Sequence, residues 1–338
     1  MTRPDPDRPA TIYDVAVASG VSHQTVSRVL RNIGTYRPET RQRIFEAVET
    51  LGYRPNMGAR DLARSRQKRI GVVGYETYES STSKVLRGVN EVAEAAGYRL
   101  EIVNVDPVGE VEAVSAALES LNASDVAGVL ATSPTMNVRE ALERVQFRKP
   151  VFLDVNGDQV AAEHGRPTRS IAAGLVMDHL AALGHERIGF IAGPEGWDSA
   201  TNREAVYRER MAAAGREPIV LGRGDWSAAS GFDAARALDP GSGVTAIFVA
   251  NDRMALGVLR ALAEQGIRVP EDVSVAGIDD IPEAAYFLPP LTTVHIDFTE
   301  AGHVAARSLI GLIERPDAPL PAYPERRLVA RASTMTLS

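Results

Sequence analysis

From Thr11 onward the apolar positions follow a helical period. Ile12, Val15 and Ala16 fall on one face, and Thr11 stands where an N-cap is needed. Ser19-Gly20-Val21-Ser22 interrupts that pattern, with Gly20 suited to a left-handed turn and Ser22 able to cap a second helix. The second helix is predicted from His23 to about Arg31, with Val26, Val29 and Leu30 facing inward. A third runs from about Pro38 to Leu51 on a stripe of Ile44, Ala47, Val48 and Leu51, and Gly52 stops it. Helix, short glycine turn and helix is the spacing of a helix-turn-helix.

Beyond Arg69 the pattern changes. Short apolar runs alternate with amphipathic stretches. The strand-like runs are Ile70–Gly74, Leu100–Val105, Val126–Ala131, Val151–Val155, Ile188–Ala192, Ile219–Leu221, Ala246–Ala250 and Val273–Ile278. Helical stretches such as Ser83–Ala96, Val108–Leu121, Ile171–Leu183 and Arg253–Glu264 lie between them. Apolar strands alternating with helices predict parallel sheets covered on both faces, and so many strands fit two doubly wound lobes better than one. Between the two regions, Pro55 to Ala63 is too short for a stable free helix, and Gly58 weakens it further by roughly 1 kcal/mol.

Composition sharpens this division. The chain has 338 residues, a formal net charge of −7, 44% hydrophobic and 24% charged residues, which are ordinary globular values. The absence of cysteine excludes disulfides, cysteine–zinc sites and a thiol nucleophile. The charge is uneven: residues 1–69 carry a net +6 and residues 70–338 a net −13. A basic head on an acidic body points to nucleic acid at the basic end. Residues 1–9 are polar and proline-rich, the expectation being a disordered arm. Neither a signal-peptide apolar region nor a membrane-spanning stretch is visible, so a cytoplasmic location is expected.

Two kinds of chemistry are placed by this layout. In a helix-turn-helix the second helix enters the major groove with its N-terminal residues. Here these are His23, Gln24, Thr25, Ser27 and Arg28. Gln pairs bidentately with adenine and Arg with guanine. Arg31, Arg41 and Arg43 suit phosphates, which position without specifying. A three-helix protein-interaction module is the competing reading, disfavoured by the basic charge and the Gln/Arg face. In doubly wound sheets ligands bind beyond the carboxyl ends of strands. Asp154, Asn251-Asp252 and Asp279-Asp280 lie at such ends, with Trp197 and Trp226 in nearby loops, a mixture suited to a polyol. A strand-end carboxylate is more often a cap than a ligand contact. No Gly-x-Ser-x-Gly, P-loop, His-Glu-x-x-His or dinucleotide fingerprint occurs, and His179 and His185 lack metal-ligand spacing, so neither catalysis nor a metal or cofactor is expected.

Tyr13-Asp14-Val15-Ala16, Gly20-Val21-Ser22, Gln24-Thr25-Val26-Ser27-Arg28-Val29-Leu30 and Leu51-Gly52-Tyr53-Arg54-Pro55-Asn56 resemble the headpiece of the LacI/GalR family. Ala192-Gly193-Pro194, Gly224 to Phe232, Val249-Ala250-Asn251-Asp252 and Leu288-Pro289-Pro290-Leu291-Thr292-Thr293 resemble its core, so the likeness spans about residues 11–333. It implies an all-α helix-turn-helix headpiece (10–54), a hinge helix (55–68) and an α/β periplasmic-binding-protein-like core of two doubly wound parallel-sheet lobes (69–338). The N-lobe would comprise about 69–166 and 297–326, the C-lobe about 167–296 and 327–338. The implied DNA contacts are Thr11, Ser22, His23, Gln24, Thr25, Ser27, Arg28, Arg31, Asn56, Ala59 and Leu62, with Leu62 wedged into the minor groove. The implied effector contacts are Val85, Thr132, Asp154, Ser199, Arg203, Trp226, Asn251, Asp279, Ile296 and Phe298. His23, Thr132 and Ile296 depart from the tyrosine, asparagine and glutamine of the family's best-known member. The resemblance implies a homodimeric repressor of a pseudo-palindromic operator, released by a galactoside-like sugar. A corepressor-dependent regulator and a sugar transport binding protein are the alternatives. The chain ends at Ser338 without a leucine-heptad tail, which sets a dimer rather than a tetramer as the expectation.

Overall fold

The computed structural model describes residues 10–30, 36–53, 68–75, 80–106, 109–132, 135–154, 170–317 and 319–337. The chain divides into two compact units, residues 1–67 and 68–338. Arg31, Asn56, Ala59, Leu62 and nearly all of the hinge segment lie outside the described residues.

The first unit is three helices: α1 (Ile12–Ser19), α2 (His23–Leu30) and α3 (Pro38–Thr50). Thr11 and Asp14 form a capping box that starts α1, and Gly20 at φ 68° ends it. The Ser22 hydroxyl accepts from the Thr25 N–H at 3.2 Å and starts α2. Pro38 occupies the first turn of α3, where its missing N–H costs nothing. Val15, Ala16, Val26, Val29, Ile44 and Ala47 meet in one core. Leu51 is a correction: it is 38% exposed rather than part of the buried stripe. The chain turns at Gly52 (φ 57°), the Tyr53 N–H bonds back to the Val48 carbonyl, and Tyr53 packs on the core instead.

The second unit begins with β1 (Arg69–Gly74), α4 (Ser80–Ala95), β2 (Arg99–Asn104), α5 (Val111–Ala123), β3 (Val126–Ala131), α6 (Met136–Arg144) and β4 (Val151–Leu153). It continues with α7 (Ile171–Ala182), β5 (Ile188–Ala192), α8 (Asp198–Ala213), β6 (Ile219–Arg223), α9 (Ala228–Arg236), β7 (Ala246–Val249), α10 (Asp252–Glu264) and β8 (Ser274–Ala276). The last elements are β9 (Thr293–His295), α11 (Phe298–Glu314) and β10 (Arg327–Val329). Two parallel four-stranded sheets result, with strand orders β2-β1-β3-β4 and β6-β5-β7-β8. Each sheet defines a lobe. Alternate residues of β1 serve its two faces: Ile70 and Val72 meet α4 and α11, while Val73 joins α5 and α6.

The chain returns to the first lobe after finishing the second sheet. From β9 it enters α11, which packs on α4 and β3, and then comes back as β10, antiparallel to β9. One apolar cluster therefore runs from Ile70, Val85 and Leu309 through Val294, Ile296 and Phe298 to Phe190 and Phe248. Element ends differ from the sequence pattern by a few residues, as at β8, where Val273 and Ile278 flank a three-residue strand. The β9/β10 ladder was illegible because three residues carry too little periodicity.

Candidate nucleic-acid interface and ligand cleft

In the headpiece Ser22, His23, Gln24 and Arg28 are exposed, and Thr25 and Ser27 are half-buried. The inward side of α2 is apolar, with Val26 and Val29 buried, so the polar residues form a separate face. The Ser22 and Thr25 hydroxyls hydrogen-bond each other at 3.0 Å, fixing the turn that presents this face. Thr11 is engaged in its own capping box. The pattern of apolar residues missed Tyr13, which is 62% exposed and whose ring lies 4.9 Å from that of His23. The available signal was an aromatic at the second position of α1, off the stripe of Ile12, Val15 and Ala16.

In the second unit polar and aromatic groups gather at the strand ends, around Trp226. Trp226 (φ 74°) and Asp279 (φ 123°) sit in left-handed backbone that side chains rarely adopt, a form of strain that clusters at functional sites. Trp226 lies against Gly193, where a Cβ would stand 2.3 Å from its ring. The Arg203 guanidinium is 5.7 Å from the Trp226 ring centroid, donates to the Ala250 carbonyl at 2.6 Å and faces Asp279 at 3.8 Å. Asn251 caps α10 through its oxygen at 2.9 Å and donates from its amide to the Trp226 carbonyl at 3.2 Å. Thr132 donates to the Val73 carbonyl at 3.1 Å, and Ser199 stands half-buried in the first turn of α8.

The remaining effector candidates are deeper. Val85, Ile296 and Phe298 belong to the central apolar cluster, each under a tenth exposed. Asp154 is buried and accepts from the Tyr323 hydroxyl at 2.7 Å. Burial first, and then the Asp154 carboxylate, push the Tyr323 hydroxyl pKa up. Tyr323 lies in the proline-rich stretch between α11 and β10, where no sequence pattern marks it.

Two strand-end carboxylates have internal partners. Asp252 is fully buried and accepts from the Thr293 hydroxyl at 2.6 Å and the Ile281 N–H at 3.0 Å. Burial, and then the nearby Asp279, raise its pKa well above the carboxylate range. Asp280 has partners of its own, Arg331 at 2.6 Å and His295 at 2.9 Å. Burial works to raise the Asp280 pKa, but Arg331 and His295 outweigh it and hold the pKa low. Among the described residues no group of His, Asp and Glu is placed to hold a metal ion, and no helix is long and apolar enough to cross a membrane.

Residues 11–56 match the bacterial regulatory proteins of the lacI family, and residues 177–334 match a periplasmic binding protein-like domain. The chain is 36% identical over 312 residues to the lactose operon repressor of Escherichia coli (strain K12), covering 90% of this chain and 85% of that one. This chain belongs to the lacI family. As a lacI-family member it is a DNA-binding regulator of transcription with a helical headpiece and a two-lobed α/β core. The crystal structure of the Lac repressor dimer bound to operator and the anti-inducer ONPF superposes with a TM-score of 0.77 at 31% identity, covering 97% of this chain and 100% of that one. A complex of the transcriptional regulator CelR with cellobiose superposes at 0.64 and 29% identity, covering 96% and 99% of the two chains. These lacI-family matches account for the exposed polar face of α2 and for two parallel sheets in one molecule.

Proposed function

We propose that this chain is a dimeric repressor that reads a pseudo-palindromic operator with its headpiece and releases it when a sugar enters the cleft. The observation that carries the sugar reading is Trp226, packed against Gly193 beside the Arg203–Asp279 pair. A pyranose needs a planar apolar surface for one face and charge-assisted partners for its hydroxyls. Asp154, Asn251, Ser199 and Thr132 would complete the polar side, and Val85, Ile296 and Phe298 the apolar floor. Two of the relatives' names support the reading, since they concern lactose and cellobiose.

On the DNA side, Gln24 and Arg28 would read base edges, while Ser22, Thr25 and the basic residues hold phosphates. Residues 55–68 would act as the hinge that couples the two units. Sugar and operator then oppose each other reciprocally, with a coupling of about 1–3 kcal/mol. The test is operator binding by the full chain with and without a galactoside. A weaker complex with the sugar supports induction. A tighter one makes the chain corepressor-dependent, and no DNA binding at all removes the repressor reading.

A further inference from the structure

Trp197 closes the loop after β5 and leads into α8. Its backbone forms an antiparallel bridge with Thr135 of the first lobe, and the Met136 N–H donates to the Gly196 carbonyl at 2.9 Å. Beside it Arg139 is ion-paired with Asp198. This seam holds the Trp197 ring between two others. Tyr75, at the end of β1, is 5.4 Å away at 63°, and Trp226, after β6, is 6.1 Å away at 88°. All three rings are half-buried.

The polar groups are not spread evenly over these rings. Arg203, Asp279 and Asn251 gather at Trp226. Trp197 and Tyr75 continue the aromatic surface across the seam into the other lobe. The nearly perpendicular indoles prevent one flat ring from lying on both. We propose that Trp197 and Tyr75 form a second subsite, which stacks the second ring of a two-ring glycoside while Trp226, Arg203 and Asp279 take the first. This assignment rests on the sugar reading of the cleft. Stacking of this kind depends on ring area and on the aromatic quadrupole rather than on paired hydroxyls. The subsite therefore demands a ring, supplied by a disaccharide or by an aryl glycoside. Asp198, next to Trp197 in the chain, is ion-paired with Arg139.

Titration calorimetry on the full chain tests this with the methyl glycoside, a disaccharide and a nitrophenyl glycoside of one sugar, in the galacto and gluco series. The two-ring ligands should bind roughly tenfold more tightly than the methyl glycoside, the scale of one aromatic contact. Trp197→Ala and Tyr75→Ala should remove that advantage, weakening the two-ring ligands roughly tenfold more than the methyl glycoside. Trp197→Phe should keep most of it. Preference among the two-ring ligands separates a second sugar from an aromatic aglycone. If the methyl glycoside binds as tightly as the others, the subsite does not exist. If Trp197→Ala weakens every ligand equally, Trp197 only closes the lobes, and the proposal is overturned. If the purified, operator-binding chain takes no sugar of any kind, the sugar reading fails, and the subsite with it.

Discussion

At the scale of single residues, two histidines with opposite surroundings give the core opposite responses to pH. His303 lies between Glu300 at 2.7 Å and Glu91 at 2.8 Å, the second on α4, with Arg307 also bound to Glu300. The Glu300 hydrogen bond, partly offset by burial and reinforced by Glu91, raises its pKa above the ordinary 6.5. Its contribution to stability is therefore complete below 6.5 and is lost as pH rises through the raised value. His185, bonded to Thr245 and to the Met335 carbonyl, is held low by burial. Its contribution is present above 6.5 and lost as pH falls through the lowered value. His303→Gln should destabilise the chain at acidic pH and lose that effect as pH rises. Urea titrations across pH ~5 to ~8 measure it, and a constant difference would contradict the assignment. Residues also show where sequence reasoning stopped. Asp252 and Asp279 share the same strand-end grammar, yet the first is sealed under Thr293 and Ile281 and the second faces the cleft. Burial decides between them, and the burial of Asp252 depends on residues 29 and 41 positions away in sequence.

At the scale of elements, the two lobes solve one packing problem in the same way. α4 and α11 cross at Gly88 and Gly302, where a Cβ would lie 2.0 Å from the Thr299 carbonyl oxygen and 2.1 Å from that of Val85. In the other lobe α9 and α10 cross at Gly231 and Gly257, with corresponding distances of 2.1 and 1.8 Å. Backbone against backbone leaves no side chain free to give way. Gly302→Ala should cost about 3 kcal/mol, at the upper end for overpacking, seen as a lower urea midpoint with an unchanged slope. Sequence periodicity made most of these elements legible, because period 2 and period 3.6 are set by which face is buried. It did not show which helices touch, since a glycine within a helix reads only as a weakness. Leu62→Ala is expected to abolish specific operator binding in a gel-shift titration while leaving calorimetric sugar affinity intact, and retained operator affinity would exclude the wedge role.

At the scale of the whole molecule, the proposed dimer requires a surface. The segment before β9 exposes Tyr286 at 88% and Leu288 at 92%, and Leu256 on α10 is 43% exposed. Large apolar side chains left this open favour a partner surface. Leu288→Arg should sediment as a monomer and bind the full operator roughly 100-fold more weakly, because both half-sites no longer act together. A dimeric Leu288→Arg protein would place the interface elsewhere. The two-lobed plan was legible from eight apolar runs, but the return of α11 to the first lobe was not, because nothing local in the chain names the sheet a helix will cover. That return has a consequence during synthesis. The headpiece needs nothing beyond Tyr53 for its own core. The first sheet ends at Leu153, but the helix that covers Ile70, Val72 and Leu130 is complete only at Glu314. At ribosomal speed that interval lasts roughly 10–30 s. A nascent chain thus carries its DNA reader long before its sensor can close, and the lobe begun first waits for a helix made only after the second sheet.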